Sequence, residues 1–384
     1  GLFDLSRRVH PLFGYGMTVL LYISIGPLFA IPRTASVSFE VGIAPFLTSS
    51  LSPTVALALF SLLFFGAALF FSLYNTKILT WVGKILNPLF LLFLSLLIVV
   101  SLVKPMGTAP LEPVAAYQAA PFVTGFIAGY QTMDAMASLA FGIIVVQTLQ
   151  GLGVQSPQAI ARGTVKAGAV SMACMAVIYS CLTYMGVTSA RAFGVSANGG
   201  RALALIARHY FGAGGGILLA LVITLACLKT AVGLITACSE TFVLLFPRSF
   251  NYRAYVCIFT AVSLGISNVG LSQIISLSLP VLMFLYPFTI ALIVLGLLSP
   301  LFKNRRGVYL TTILCIAPIS IGDFFQALPV SVQETAGIRH VLSFFDSHVP
   351  LFTIGMGWLL PLVVGLGGSW LWALYRSHGN RTSA

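Results

Sequence analysis

Charge is the scarcest thing in this sequence. Only 7% of its 384 residues are Asp, Glu, Lys or Arg, while 58% are hydrophobic. A soluble domain carries about 25% charged residues, so the shortfall excludes a water-soluble globular protein. Six cysteines are present, Cys174, Cys181, Cys227, Cys238, Cys257 and Cys315, but none stands in a CxxC or other metal spacing. All lie within apolar stretches and are expected to be small buried hydrophobes, neither disulfides nor ligands. The five histidines fall in candidate loops or at their edges, again without metal spacing, so no metal site is expected. No signal-peptide pattern is found.

What the chain does have is a succession of apolar runs. Ten segments are long enough to cross a hydrocarbon core of about 30 Å: 11–30, 53–73, 82–103, 120–150, 158–186, 213–247, 251–268, 272–302, 307–327 and 350–376. Backbone polar groups in lipid must pair within their own segment, so these are expected to be helices. The sequence predicts an all-α polytopic membrane protein with one membrane domain over 1–384. With the opening segment on the cytoplasmic side, thirteen Lys and Arg fall on that side and six on the other. The bias predicts both termini in the cytoplasm. It also accounts for the net charge of +12, so nucleic-acid binding is not needed, and no motif for it occurs. The Asn-Arg-Thr at Asn380 lies on the cytoplasmic side and is discounted as a glycosylation site.

Two short stretches punctuate the pattern. "GRALALIARHY", 200–210, places Arg201 and Arg208 on one helical face and reads as a short helix at the outer surface, either a loop helix or an extracellular lid. "GAGGG", 212–216, follows no strand and precedes no lysine at phosphate-loop spacing; it is expected to loosen the start of the next span.

A charge at the centre of a span costs about 2.5–3.5 kcal/mol on insertion scales. Four acidic or basic residues fall well within spans: Asp134, Lys229, Glu240 and Asp323. An unbroken helix over 120–150 would be about 45 Å long, half again the hydrocarbon thickness. Its middle, "GYQTMDAMASLAFG", holds Gly129, Gln131, Thr132 and Asp134 in quick succession. Polar side chains there can satisfy backbone groups released by a break. A broken helix suits a zwitterion, offering N–H groups to a carboxylate and C=O groups to an ammonium; the alternative is a helix–helix hydrogen bond from Asp134. In "LACLKTAVGLITACSETF", Lys229, Thr236 and Glu240 form one stripe, with Thr230, Gly233 and Ala237 as small residues beside it. Thr230 is a candidate oxygen ligand for a hard cation, and Lys229 is a candidate substitute for that cation. Snorkelling or pairing of Lys229 is the alternative. Glu240 and Asp323 lie toward the ends of their helices and are expected at the interface. Pro280 and Pro287 are expected to kink 272–302. No nucleophile–base pair lies at membrane depth, so no catalytic residue and no enzyme is expected.

In "GPLFAIPRTASVSFEVG", Pro27 and Pro32 are expected to end the first span near the outer face. Thr34 to Phe46 reads as too short and too polar to cross, and is expected to form an external or re-entrant segment. With "GYQTMDAMASLAFG" and "ACLKTAVGLITACSETF" it closely resembles the bacterial branched-chain amino acid:cation symporter family, LIVCS or BrnQ type. The three motifs stand in family order, and the similarity covers essentially the whole chain. The resemblance implies uptake of leucine, isoleucine and valine with Na⁺, or H⁺ in some members, across the bacterial inner membrane. It implies a LeuT-type fold of inverted five-helix repeats with twelve spans, of which this chain shows ten and lacks the first two. On that reading 120–150 is the sixth span and 213–247 the eighth. Substrate would meet Tyr130, Gln131, Thr132, Met133, Asp134 and Phe141, with Tyr130, Met133 and Phe141 as the aliphatic pocket. The cation would meet Thr230. The alternatives are a proton-coupled or uncoupled carrier with Lys229 in the cation's place, and a non-transporting fragment.

Overall fold

The structure is a computed structural model and describes residues 1–47, 52–74, 77–107, 112–113 and 115–379. Asn380 and Arg381 lie outside the described residues. Among those described, the secondary structure is helical with no strand, as the apolar runs predict. The principal helices are α1 (Pro11–Ile23), α2 (Ala30–Gly42), α3 (Pro53–Tyr74), α4 (Lys77–Val103), α5 (Pro121–Tyr130), α6 (Asp134–Gly151), α7 (Pro157–Phe193), α8 (Gly199–Leu245), α9 (Tyr252–Ser267), α10 (Leu271–Leu298), α11 (Arg306–Gln326), α12 (Ala336–His348) and α13 (Leu359–Gly379). Seven helical stretches among the described residues are long and apolar enough to cross a membrane, and three shorter apolar helices accompany them. Each of the ten expected segments overlaps one of these. The chain is a multi-pass membrane protein.

The helices form two compact units, one from Gly1–Tyr22, Pro113–Ile144 and Leu277–Ala384, the other from Ile23–Glu112 and Val145–Ser276.

The second unit is built around α2 and α8, which pack on each other and on α3, α4 and α9. Its core joins Ile31 and Ala35 to Phe64, Phe65, Ala231, Ile235 and Val256. Here the expectation for the opening stretch is corrected. The chain does not stop at Pro27 and Pro32. It bends through a wide turn of helix at Ser24–Leu28, where Gly26 takes φ −99° and ψ −120°. It then continues as thirteen helical residues, most of them buried. The polar residues fit inside because they answer their own helix: Thr34 Oγ1 donates to the Ile31 carbonyl at 2.6 Å and Ser38 Oγ to the Thr34 carbonyl at 2.7 Å. Ser36 Oγ lies 3.2 Å from both the Pro32 and Ser267 carbonyls. At the bend, the Pro27 carbonyl accepts from Ser263 Oγ at 3.3 Å. Hydroxyls restoring bonds at a break are what permit Pro and Gly in a lipid-embedded helix.

In α8 the stretch 199–211 is a helix of its own, burying Ala204, Ile206 and Ala207 while Arg201 and Arg208 are exposed. Gly212, at φ +61° and ψ −155°, turns the chain into the long helix that follows, as the glycine run predicts. Such a φ is open to glycine without steric cost.

The first unit packs α11 against α12 and α13. Residues 349–358 are turns, so the last apolar helix begins at Leu359. Helix α10 runs helical through both Pro280 and Pro287. At one end, Arg8 Nη1 donates to Asn304 Oδ1 at 2.6 Å and to the Tyr309 hydroxyl at 3.0 Å, and Arg306 Nε to the Val9 carbonyl at 3.1 Å.

The cysteine expectation holds in part. No disulfide joins them, and Cys238 is buried, but Cys174, Cys257 and Cys315 are exposed on their helices.

Candidate functional site

The long segment 120–150 is broken where its polar residues cluster. Helix α5 ends at Tyr130 and α6 begins at Asp134, with Met133 at φ +61° between them. The joint turns tightly: Gln131 N bonds Ala128 O at 3.1 Å, Thr132 N bonds Gly129 O at 3.2 Å and Met133 N bonds Tyr130 O at 3.1 Å. The four-residue ladder resumes with Ala137 N on Met133 O at 2.9 Å. Thr132 is the polar hinge. Its hydroxyl donates to Gly129 O at 2.8 Å and stands 3.4 Å from Asp134 N. A helix end thus meets a helix start within three residues. The carbonyls of Ala128, Gly129 and Tyr130 accept the N–H groups of the turn, a carbonyl oxygen having two lone pairs, and the first turn of α6 presents N–H groups that precede its own four-residue ladder. The two helix dipoles add a negative and a positive pole at the same place.

The side chains around the joint are graded in burial. Tyr130 and Met133 are 3% and 4% exposed, Gln131, Asp134 and Phe141 are half-buried, and Thr132 is exposed. Tyr130 stacks on Tyr286 of α10 with centroids 4.0 Å apart and planes 4° apart, and meets Phe126 edge-on at 5.5 Å. Phe141 packs edge-on against Tyr22 at 6.2 Å, and the Tyr22 hydroxyl donates to Ala140 O at 3.0 Å. Tyr130 and Met133 flank the joint, whereas Phe141 stands about 12 Å further along α6 at 1.5 Å per residue.

Lys229 and Thr230 belong to the other unit. Thr230 is exposed, its hydroxyl donating to Ala226 O at 2.9 Å, and Lys229 is half-buried. Because that hydroxyl spends its proton on the backbone, its lone pairs face away from the helix and can accept or ligate. The same unit carries a cavity of about 660 Å³ lined by Glu40, Arg201 and Arg208 with Phe39, Leu47 and Leu205. Both signs of charge and apolar surface therefore meet in one recess. Glu240 is exposed, in keeping with an interfacial place. No cluster of three metal-ligating side chains occurs among the described residues.

Asp323 departs from its expected interfacial place. It is 0% exposed, within α11. Neither carboxyl oxygen has a hydrogen-bond partner. Its position near the helix end suggested water, but aromatic residues from α12 and from the turns at 349–358 pack against the residue before it. Phe345 and Phe352 press on neighbouring Gly322, and Trp358 is buried. A signal was present in "FTIGMGWL", 352–359, whose apolar and aromatic residues read as span but serve as cover.

The sequence profile described as "Branched-chain amino acid transport protein" matches residues 1–374. The chain belongs to that family. Curated relatives agree along nearly its whole length. It is 47% identical over 369 residues to the branched-chain amino acid permease BrnQ of Lactobacillus delbrueckii subsp. lactis, covering 95% of this chain and 81% of that one. It is 40% identical over 374 residues to BrnQ of Bacillus subtilis, covering 97% and 83%. Against BrnQ of Escherichia coli K12 it is 38% identical over 364 residues, covering 95% and 80%. Family and relatives are transport permeases, not enzymes, and the resemblance read from the three motifs is to the same family.

Proposed function

We propose that this chain is a secondary carrier that takes leucine, isoleucine and valine into the bacterial cell across the inner membrane, together with a cation. The observation that carries the reading is the joint Gln131–Met133 between α5 and α6. An amino acid is a small dipole with an oily tail. The paired helix ends offer N–H groups to its carboxylate and carbonyls to its ammonium, and the buried Tyr130 and Met133 beside them offer apolar surface. Discontinuous helices are used in this way in LeuT-type inverted-repeat carriers, and the proposal extends to that fold and to one transport domain with both termini cytoplasmic. Relatives named as branched-chain amino acid permeases support the substrate class.

Selection would follow from burial of the aliphatic tail, at about 0.8 kcal/mol per CH₂. Leucine should then bind roughly 50-fold more tightly than alanine, which is smaller by three carbons. Competition by unlabelled amino acids against labelled leucine in proteoliposomes measures this, and equal competition by alanine would contradict an aliphatic pocket.

For the coupling ion we favour Na⁺ at Thr230, whose hydroxyl oxygen is free to ligate once its proton is given to Ala226 O. Thr230→Ala should raise the Na⁺ needed for half-maximal leucine uptake about tenfold, the effect of ~1.4 kcal/mol. Unchanged Na⁺ dependence would remove Thr230 from the cation's shell. The half-buried amine of Lys229 next in sequence favours a second reading, in which it stands in for the metal ion and coupling is to protons or absent. Leucine uptake driven by an imposed Na⁺ gradient, compared with an imposed pH gradient, separates the two.

A further inference from the structure

In the first unit, buried polar groups gather beside the joint. Asp323 is fully buried with both carboxyl oxygens unpartnered, and Ser320, three residues earlier on the same helix, is likewise buried with its hydroxyl unpartnered. Tyr130, the residue at which α5 ends, lies beside the Trp358 indole and within electrostatic reach of Asp323. Tyr286 stacks on Tyr130, and Phe284 of the same helix meets Phe324 edge-on at 6.4 Å, bringing α10 against α11 at this level.

Among the described side chains of the elements around it, none is placed to balance a negative charge. Helices α5 and α10 contain no charged residue. Arg339, Asp346 and His348 of α12 are exposed, and Arg306, in the first turn of α11, is bonded to the Val9 carbonyl at the far end of that helix. The described side chains of α13 include no charge. The phenol of Tyr130, on which Tyr286 stacks, is within electrostatic reach of Asp323. An isolated carboxylate in such a setting is far costlier than the neutral acid, and an ionisable residue at this depth marks an ion or proton pathway by default.

We propose that Asp323 is a proton-binding site of this carrier, and that its proton and the amino acid bind together through Tyr130. The proposal rests on the reading that the joint holds the amino acid. With the joint occupied, Asp323 holds its proton as the carboxylic acid. Once the joint empties and Tyr130 shifts, the O–H bond breaks. The proton passes to water, and the carboxylate left behind accepts from the Tyr130 and Ser320 hydroxyls. Thr230 belongs to the other unit, and the proton would move in addition to, or in place of, the ion bound there. Coupling of this kind is reciprocal: leucine must tighten proton binding as much as the proton tightens leucine.

Infrared difference spectra of the full chain in lipid test this, using the carbonyl band of a protonated carboxylic acid, with labelled-leucine binding measured on the same samples. The expected result is a band at neutral pH that fades as pH rises, that leucine preserves to higher pH, and that Asp323→Asn abolishes. Leucine affinity should fall about tenfold per pH unit above the band's midpoint in the native chain, as for one linked proton. In D323N, which mimics the neutral acid in shape, it should change less than about twofold over that range. A band unaltered in D323N, or the native pH dependence surviving in it, would overturn the proposal. Should D323N not fold, the native spectrum alone decides: no acid band at neutral pH overturns it. Absence of leucine binding by the native chain at any pH would instead overturn the reading of the joint. A D323N-sensitive band in that case would uphold the proton site and reject its coupling to leucine.

Discussion

Replacing Met133 by valine should weaken leucine binding about tenfold or more, without reducing the amount of folded protein in the membrane. Met133 sits at φ +61°, a left-handed conformation that costs an L-residue roughly 1–2 kcal/mol. Methionine, branched nowhere near the backbone, tolerates it; a β-branched residue is a steric outlier there. Valine would push the joint toward an ordinary helical or extended geometry and rotate the first N–H groups of α6 away from the last carbonyls of α5. A loss of ~1.4 kcal/mol in the bound state is tenfold in affinity. Met133→Gly is the matched control. Glycine adopts positive φ freely, so the joint should survive and only the buried side chain, 4% exposed in the native chain, is lost. Leucine binding to the purified variants, normalised to folded protein, separates backbone from side chain. Native affinity in Met133→Val would mean that the left-handed residue is not needed.

Gly365→Leu should lower the thermal midpoint of the detergent-solubilised protein by several degrees. A Cβ at Gly365 would lie 2.9 Å from the Thr312 Cα and 3.3 Å from the Cys315 Cβ. The first of these is a backbone atom and cannot turn aside, so α11 and α13 must separate. Close helix approach over small residues is a main source of stability where lipid is as apolar as the side chains. Overpacking such a contact costs about 1–3 kcal/mol, which at roughly 2–4 °C per kcal/mol gives the expected shift. Gly367, two positions on, has nothing within 4 Å of an added Cβ. Gly367→Leu should therefore leave the midpoint near its native value. A drop shared equally by both variants would assign the effect to lost glycine flexibility, not to helix contact.

The parts of the fold legible in the sequence are those set by local chemistry. Apolar length alone located the ten spans. The run of Gly129, Gln131, Thr132 and Asp134 marked a break because those residues serve released backbone groups, and Thr132 does so at Gly129 O. Gly212 turns where a glycine run allowed it. The parts that were not legible depend on hydrogen bonds and packing that composition and apolar length do not reveal. Thr34, Ser36 and Ser38 look too polar to bury until their hydroxyls are seen answering Ile31, Pro32, Thr34 and Ser267 carbonyls. Asp323 stands near a helix end that water would ordinarily reach. It is nevertheless fully buried, next to a Gly322 on which Phe345 and Phe352 press. The family resemblance likewise grouped Phe141 with Tyr130 and Met133. Along α6, however, it faces Tyr22 well away from the joint, so its share in an aliphatic pocket requires a tail that reaches it.

An experimental density map of the leucine-bound protein at side-chain resolution tests the joint most directly. The account predicts leucine density between Tyr130 and Asp134, its carboxylate on the first N–H groups of α6, its ammonium toward the last carbonyls of α5 and its tail against Tyr130 and Met133. A continuous helix through Gln131–Met133, or leucine seated elsewhere with the joint unoccupied, would contradict it.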